Sequence, residues 1–299
     1  MANVLLSEAE KTYILHGIQK GYRNDGRTNR DYRPMELETD VVVHAMGSAR
    51  LRLANTDILV AIKADIDVPS PDRPKEGKIE FFVDCSANAT PDFEGRGGEE
   101  LATEISNTLS KAYLSQQAFD LSPLCILAKH QCWKLYADIL ILECGGNLFD
   151  AVSLAVKAAL YNTKLPRVSS AELDGGAMDI ILTDDPYDCE RLTIQTVPLL
   201  VTVCKIGDHC VVDPSAEEEE CSTISVVIGV SYKSDGSGDI TSIRTSGDGS
   251  FHADTLTKSL ELGVSAGAYL DKALMEALRS DEEKNTKPLG EKEIFGFLK

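Results

Sequence analysis

"LECGGNLFDAVSLAVKAAL", residues Leu142–Leu160, carries a short apolar strand into a glycine turn and then into a run with helical spacing and good helix formers. The pattern predicts a strand over Leu135–Leu142, a turn at Cys144-Gly145-Gly146-Asn147 and a helix over Phe149–Tyr161. A strand, a glycine turn and a helix N-terminus are the parts of a phosphate site, because free backbone N–H groups and the helix dipole both face an anion there. Such sites normally add a cation or a hydroxyl, since a charged partner makes the hydrogen bond roughly twice as strong. Here the turn continues with Asn147, Leu148, Phe149 and Asp150, none of them basic and none Ser or Thr. Asp150 places a carboxylate in the first helical turn, where it satisfies the dipole itself and repels an incoming phosphate. Read alone, these residues favour a cap for a packed helix over a phosphate cradle.

The chain of 299 residues, 43% apolar, has room for two modest domains or one large one around a packed core. Met1–Lys20 lacks a basic start followed by an apolar stretch, and no apolar run approaches the roughly 20 residues of a spanning helix, so neither a cleaved signal nor a membrane span is expected. The eight cysteines (Cys85, Cys125, Cys132, Cys144, Cys189, Cys204, Cys210, Cys221) contain no C-x-x-C pair and read as buried thiols in a reducing compartment. The five histidines are equally dispersed, and neither a metal site nor a cofactor is expected. A net charge of −18 opposes autonomous nucleic-acid binding, because Lys and Arg contacts to phosphate supply most non-specific affinity. Any RNA must be held by a small local patch or a basic partner.

Outward from the opening stretch, Ser7 and Glu10 form a capping box for an N-terminal helix, and Arg23–Arg33, "RNDGRTNRDYR", reads as a turn-rich arm with four arginines. Strands are expected at Met35–Val43, Ser48–Leu53, Asp57–Asp65 and Lys78–Cys85, with an amphipathic helix over Glu99–Tyr113. Pro166–Asp188 reads as a connector. Beyond it come strands at Arg191–Ile194, Leu199–Cys204, Cys210–Asp213 and Ile224–Tyr232, a further strand, and a closing helix over Ala253–Arg279. Strands grouped with a few long helices predict α+β layers. The stretch "VVDPSAEEEE" ends a strand at Asp213 and follows it with Glu217–Glu220. Those carboxylates could hold a hydrated Mg²⁺ or serve as a general acid, or simply open an acidic, solvated helix. The apolar residues of the terminal "IFGFLK" read either as a frayed tail or as a docking segment for a partner.

"DGRTNRDYRP" (Asp25–Pro34), "GSARLRLANTDILVAIKAD" (Gly47–Asp65), "EGKIEFFVD" (Glu76–Asp84), "DILILECGGNLFDA" (Asp138–Ala151) and "VVDPSAEEE" (Val211–Glu219) follow one another as in the ribonuclease PH family, and the chain resembles that family from about Asp25 to Arg279. Within it, "GNLFDA" and "DDPYD" (Asp184–Asp188) resemble the non-catalytic ring subunits of the RNA exosome. The resemblance implies a ribonuclease PH-like α+β fold with two βαβα-type subdomains, similar to domain 2 of ribosomal protein S5. It divides the chain into an N-terminal helix (1–24), a first domain (25–168), a connector (169–189), a second domain (190–280) and a C-terminal tail (281–299).

It further implies a hetero-hexameric ring with other ribonuclease PH-like subunits, S1/KH-type cap subunits, single-stranded RNA in the channel, a separate catalytic nuclease, and residence in nucleus, nucleolus and cytoplasm. In active members the glycine pair is followed by Thr and Arg, which hold the attacking phosphate. Here Gly145 and Gly146 are followed by Asn147 and Leu148, so the phosphate loop is degenerate. Asp213 stands at the first catalytic carboxylate position and Glu219 at the second, a vestigial acidic pair. Arg96 and Lys111 are the remaining candidates for RNA contact. The expected function is a catalytically silent ring subunit supporting 3′-to-5′ RNA processing and degradation; the alternative is an active phosphate-dependent exoribonuclease, and a third reading has the carboxylates completing an adjoining subunit's site.

Overall fold

The computed structural model describes residues 5–115, 118–172, 178–182, 185, 188–233 and 237–285. Helix α1, Glu8–Gln19, begins at its capping box: Glu10 donates its N–H to Ser7 Oγ at 3.4 Å and accepts the Ser7 N–H at 2.7 Å. Its Ile14 and Ile18 bury against Ile206 and Val211 in a small separate core.

Next come β1 (Met35–Thr39), β2 (Gly47–Leu53), β3 (Thr56–Asp67), β4 (Lys78–Cys85), α2 (Glu99–Tyr113), β5 (Cys125–Leu127), β6 (Gln131–Glu143) and α3 (Leu148–Asn162). The first sheet runs β1-β2-β3-β6-β4 with β5 on β6, antiparallel except where β4 lies parallel to β6. Period-two alternation sorts its faces. Leu51, Leu53, Ile58, Val60, Leu135 and Ile139 are buried on the side where α2 and α3 pack, while Arg52, Lys63 and Phe82 stay exposed.

Short strands β7 (Lys164–Pro166), β8 (Val168–Glu172), β9 (Met178–Leu182) and β10 (Cys189–Arg191) lead into β11 (Leu199–Ile206), β12 (His209–Val212), α4 (Ala216–Cys221), β13 (Ile224–Tyr232), β14 (Gly238–Ser246) and α5 (Ala253–Asn285). The second sheet is antiparallel in the order β12-β11-β13-β14. Every residue of β13 is buried, because α5 packs on the second sheet and α3 lies between β11 and the first sheet. Helix α3 is therefore an inner layer: Leu148 through Leu160 are all buried, as expected for a helix apolar on every side. One core runs from the first sheet through α3 to the second sheet and α5.

The α+β expectation and the strand–turn–helix reading of the opening stretch hold, with several corrections. The first strand stops at Thr39 rather than Val43, because Asp40 takes a left-handed backbone (φ 56°) and its N–H turns to Ser48 O at 3.1 Å. The stretch read as a plain connector contains an antiparallel pair, β8 with β9, between residues 168 and 182. The strand expected at Arg191–Ile194 lies earlier, at Cys189–Arg191, where β7 supplies its pairing partner. All eight cysteines are free, but only Cys132 and Cys204 are fully buried; the rest keep some surface. Helix α5 continues past Arg279 to Asn285, while "IFGFLK" lies outside the described residues.

Lys157 is the one charged side chain of α3 with a cationic head in the core. Its Nζ donates to Asp271 Oδ1 at 2.6 Å and to Val197 O at 2.8 Å, tying α3 to α5. Burial pulls its pKa down, and the Asp271 carboxylate opposes that pull. Asp271→Ala strands the buried ammonium and is expected to cost about 3 kcal/mol in urea unfolding. Lys157→Met, which removes the charge and keeps the volume, is expected to cost distinctly less in the same measurement.

Candidate functional site

The glycine turn between β6 and α3 is closed on two sides by other parts of the chain. A Cβ on Gly145 would lie 2.6 Å from Asn55 Cβ, and one on Gly146 (φ 94°) would lie 2.4 Å from the Ala216 nitrogen. Only glycine fits where the β2–β3 hairpin and the Pro214–Ala216 segment press onto the turn.

A network of side-chain hydrogen bonds then ties this junction together. The Arg33 guanidinium donates to Gly145 O at 2.8 Å and Gly146 O at 3.0 Å, and grips Asp213 through Nε (3.0 Å) and Nη2 (2.9 Å). The Arg33 backbone N–H adds a further bond to Asp213 at 2.8 Å, and Arg27 Nη1 adds another at 2.9 Å. Asn147 Nδ2 donates to Asp213 Oδ1 at 2.7 Å and Asp150 Oδ2 at 3.0 Å. The Asn147 backbone N–H donates to Glu219 Oε1 at 2.8 Å. Thr56 Oγ1 accepts the Gly145 N–H at 3.2 Å and donates to Gly146 O at 2.8 Å. Asn147 and Asp213 both adopt left-handed backbone, φ 53° and 49°, a region that Asn and Asp tolerate better than most residues.

The three carboxylates differ in their environments. Burial would push the Asp213 carboxyl up, but Arg33 and Asn147 outweigh it and hold the group below its ordinary value, so it is an ion. Burial raises Asp150 to about 6 against the hydrogen bonds from Thr202 Oγ1 (2.6 Å), Asn147 and Tyr32 (2.7 Å). Burial also raises Glu219 to about 7, against the hydrogen bond it accepts from the Asn147 N–H.

The arrangement brings Asp213, Glu219, Gly145, Gly146 and Asn147 together but fills the turn with the protein's own groups. Glu219 occupies the Asn147 amide, Thr56 occupies the Gly145 amide, and Leu148 is buried. An acid locked by two guanidinium groups is a poor proton donor, and the Gly145 and Asn147 amides of the turn already have acceptors within the chain. Among the described residues there is no cluster of three or more candidate metal ligands, and no helix is long and apolar enough to cross a membrane.

Arg96 lies elsewhere, its side chain 90% exposed with Nε 3.7 Å from Glu99, and Lys111 is exposed on α2 in a groove it shares with Glu99, Glu100 and Glu104. Neither takes part in the hydrogen bonds and ion pairs described at the turn. The sequence reading missed the arm's role. Arg23 pairs with Glu218 and donates to Val212 O at 2.9 Å, so three of the four arginines in "RNDGRTNRDYR" face inward to the Asp213–Glu218 segment. The available signal was the concentration of arginine in a turn-rich stretch of an acidic chain. Arg244, also missed, pairs with Glu104 and bonds Thr108 Oγ1 at 2.8 Å, fastening β14 to α2.

Two lobes sharing one buried helix, joined at a glycine turn by an arginine–carboxylate cluster, define a ribonuclease PH-type architecture. Residues 31–166 match domain 1 and residues 196–266 match domain 2 of the 3′ exoribonuclease family, and the chain belongs to that family. It is 30% identical, over 91% of its length and 98% of the relative's, to a Dictyostelium discoideum protein described as a putative exosome complex exonuclease RRP42. It is 35% identical to the exosome complex component Rrp42 of Sulfurisphaera tokodaii, over 92% and 96% of the two chains. A chain of the Archaeoglobus fulgidus exosome, solved with RNA bound to the active site, superposes with a TM-score of 0.72 at 27% identity, covering 89% of this chain and 98% of that one.

Asp213→Ala, which leaves Arg27, Arg33 and Asn147 without their anion, is expected to lower stability by about 3 kcal/mol or more in denaturant unfolding. Asp150 and Glu219 bind protons more tightly folded than unfolded. Their contribution is therefore full below about pH 4 and is lost as the pH rises through about 6 and 7. Asp213 acts in the opposite sense, stabilising above the ordinary Asp range and losing that contribution on acidification. Glu219→Gln, which cannot titrate, is expected to flatten the fall in Tm between pH 5 and pH 8.

Proposed function

We propose that this chain is a catalytically silent ring subunit of an RNA exosome. It would form a six-membered ring with other ribonuclease PH-like subunits, topped by S1/KH-type cap subunits, whose channel passes single-stranded RNA to a separate nuclease. The observation that carries the silent part of the reading is Glu219 Oε1 seated on the Asn147 N–H at 2.8 Å, beside a buried Leu148. Phosphorolysis needs phosphate held in line with a phosphodiester, two anions close together, and this turn presents a carboxylate instead of a cation. The relatives named as exosome components, and the matching fold of an exosome chain, support the ring part.

On this reading the work is 3′-to-5′ RNA processing and degradation by the assembly, in nucleus, nucleolus and cytoplasm. The chain contributes architecture through a first lobe of about residues 25–168 and a second of about 190–280. Arg96 and Lys111 are its candidate RNA contacts, and their acidic neighbours imply weak, salt-sensitive binding. Asp213 is 0% exposed, which argues against its reaching into an adjoining subunit's site.

The test is phosphate-dependent shortening of single-stranded RNA by the purified chain beside an Asp213→Asn variant. No shortening by either is expected. Shortening by the parent that Asp213→Asn abolishes would make the chain an active exoribonuclease and overturn the proposal.

A further inference from the structure

The order β12-β11-β13-β14 leaves β14 hydrogen-bonded on one side only, and among the described residues no strand covers its outer edge. Open edges of this length normally carry lysine, proline or other devices against pairing. β14 has nine residues, Gly238–Ser246, with neither lysine nor proline, and exposes Ile240 by 42% and Ile243 by 51%. A register shift at Gly229/Val230 bulges it near Thr241, leaving Ser242–Ser246 as a regular run. Its one cation, Arg244, is drawn into α2 by Glu104 and Thr108 and does not guard the edge.

Beside this run lies a groove of about 740 Å³ between Ser242–Arg244 and α2. Glu99 and Glu100 line its helical wall beside the Glu104–Arg244 pair, with Lys111 the one lysine of the lining and the exposed Arg96 3.7 Å from Glu99. An unpaired, β-branched edge supplies main-chain hydrogen bonds to an added strand, and an acidic wall on one side selects the side chains that strand presents at every second position. The net charge of −18 points the same way, toward a partner of opposite sign.

We propose that β14 is the docking edge for an extended basic segment of a neighbouring ribonuclease PH-like subunit, added as a fifth strand of the second sheet with its Lys or Arg side chains on Glu99 and Glu100. The inference rests on the ring reading above and names the surface through which the chain enters the ring.

Hydrogen exchange of the full chain is measured alone, with a short oligouridylate RNA, and in the complex reconstituted with the other ribonuclease PH-like subunits of the same organism. In the complex, amides of residues 242–246 are expected to slow by about tenfold or more, and RNA alone is expected to leave them unchanged. The double variant Glu100→Lys, Ile243→Lys is expected to keep the parent's Tm and to lose at least about tenfold in incorporation. A control at exposed Tyr269, Tyr269→Ser, is expected to incorporate normally. A complex that forms with unprotected 242–246 amides overturns this inference and leaves the ring reading standing. Protection by RNA alone makes the groove an RNA site and overturns it as well, and a parent chain that enters no complex overturns both.

Discussion

The buried carboxylate of Asp213 is the contact on which the junction of the two lobes depends. It sits just past β12, in the second lobe, yet its partners are the arm residues Arg27 and Arg33 and the turn residue Asn147. An isolated carboxylate is strongly unfavourable away from water, so its presence there requires the guanidinium groups and the amide to arrive together. Arg33 in turn holds both glycine carbonyls, which fixes the entry of α3. The same pairing that stabilises the junction removes Asp213 from acid chemistry, since a group bound this way stays ionised. The joining of the two lobes and the ionised state of Asp213 thus have one physical source.

That source also shapes the outer surface. Arg23, Arg27 and Arg33 are spent on internal carboxylates and carbonyl groups, leaving Arg30 as the exposed arginine of the arm. A chain already acidic in sequence loses part of its basic complement to its interior. The consequence is a surface suited to oppositely charged protein partners, which can steer association, more than to polyanions.

What the sequence made legible and what it concealed follow from the range of the forces involved. Leu142–Leu160 reads correctly because periodicity and turn chemistry are local, and β11 and β13 read correctly because their apolar runs answer to burial on two faces. The end of β1 is set by Asp40 turning its N–H to Ser48, a contact across a loop that no propensity encodes. The β8–β9 pair was hidden by glycine and aspartate that look like linker composition, and the three-residue strands β5, β7 and β10 exist only because partners lie beside them. At the site, the family resemblance singled out Asp213 and Glu219, where the residues alone left the run Glu217–Glu220 open. That Glu219 seats itself on the turn amide, 72 residues away, and that Arg23 of the arm folds inward onto Glu218, 195 residues away, are relations visible only once the chain is folded.

The burial of α3 on every side has a consequence for synthesis. By the time Asn162 has been made, the first sheet can cover one flank of the helix, but the flank destined for β11 has nothing to meet until Leu199–Ile206 has been translated, and Lys157 waits longer still, for Asp271. A nascent chain therefore carries an uncovered apolar helix on the ribosome through the making of the whole β7–β10 region. The last contacts around α3 are thus supplied by the last helix of the chain, and the core is complete only when that helix has been made.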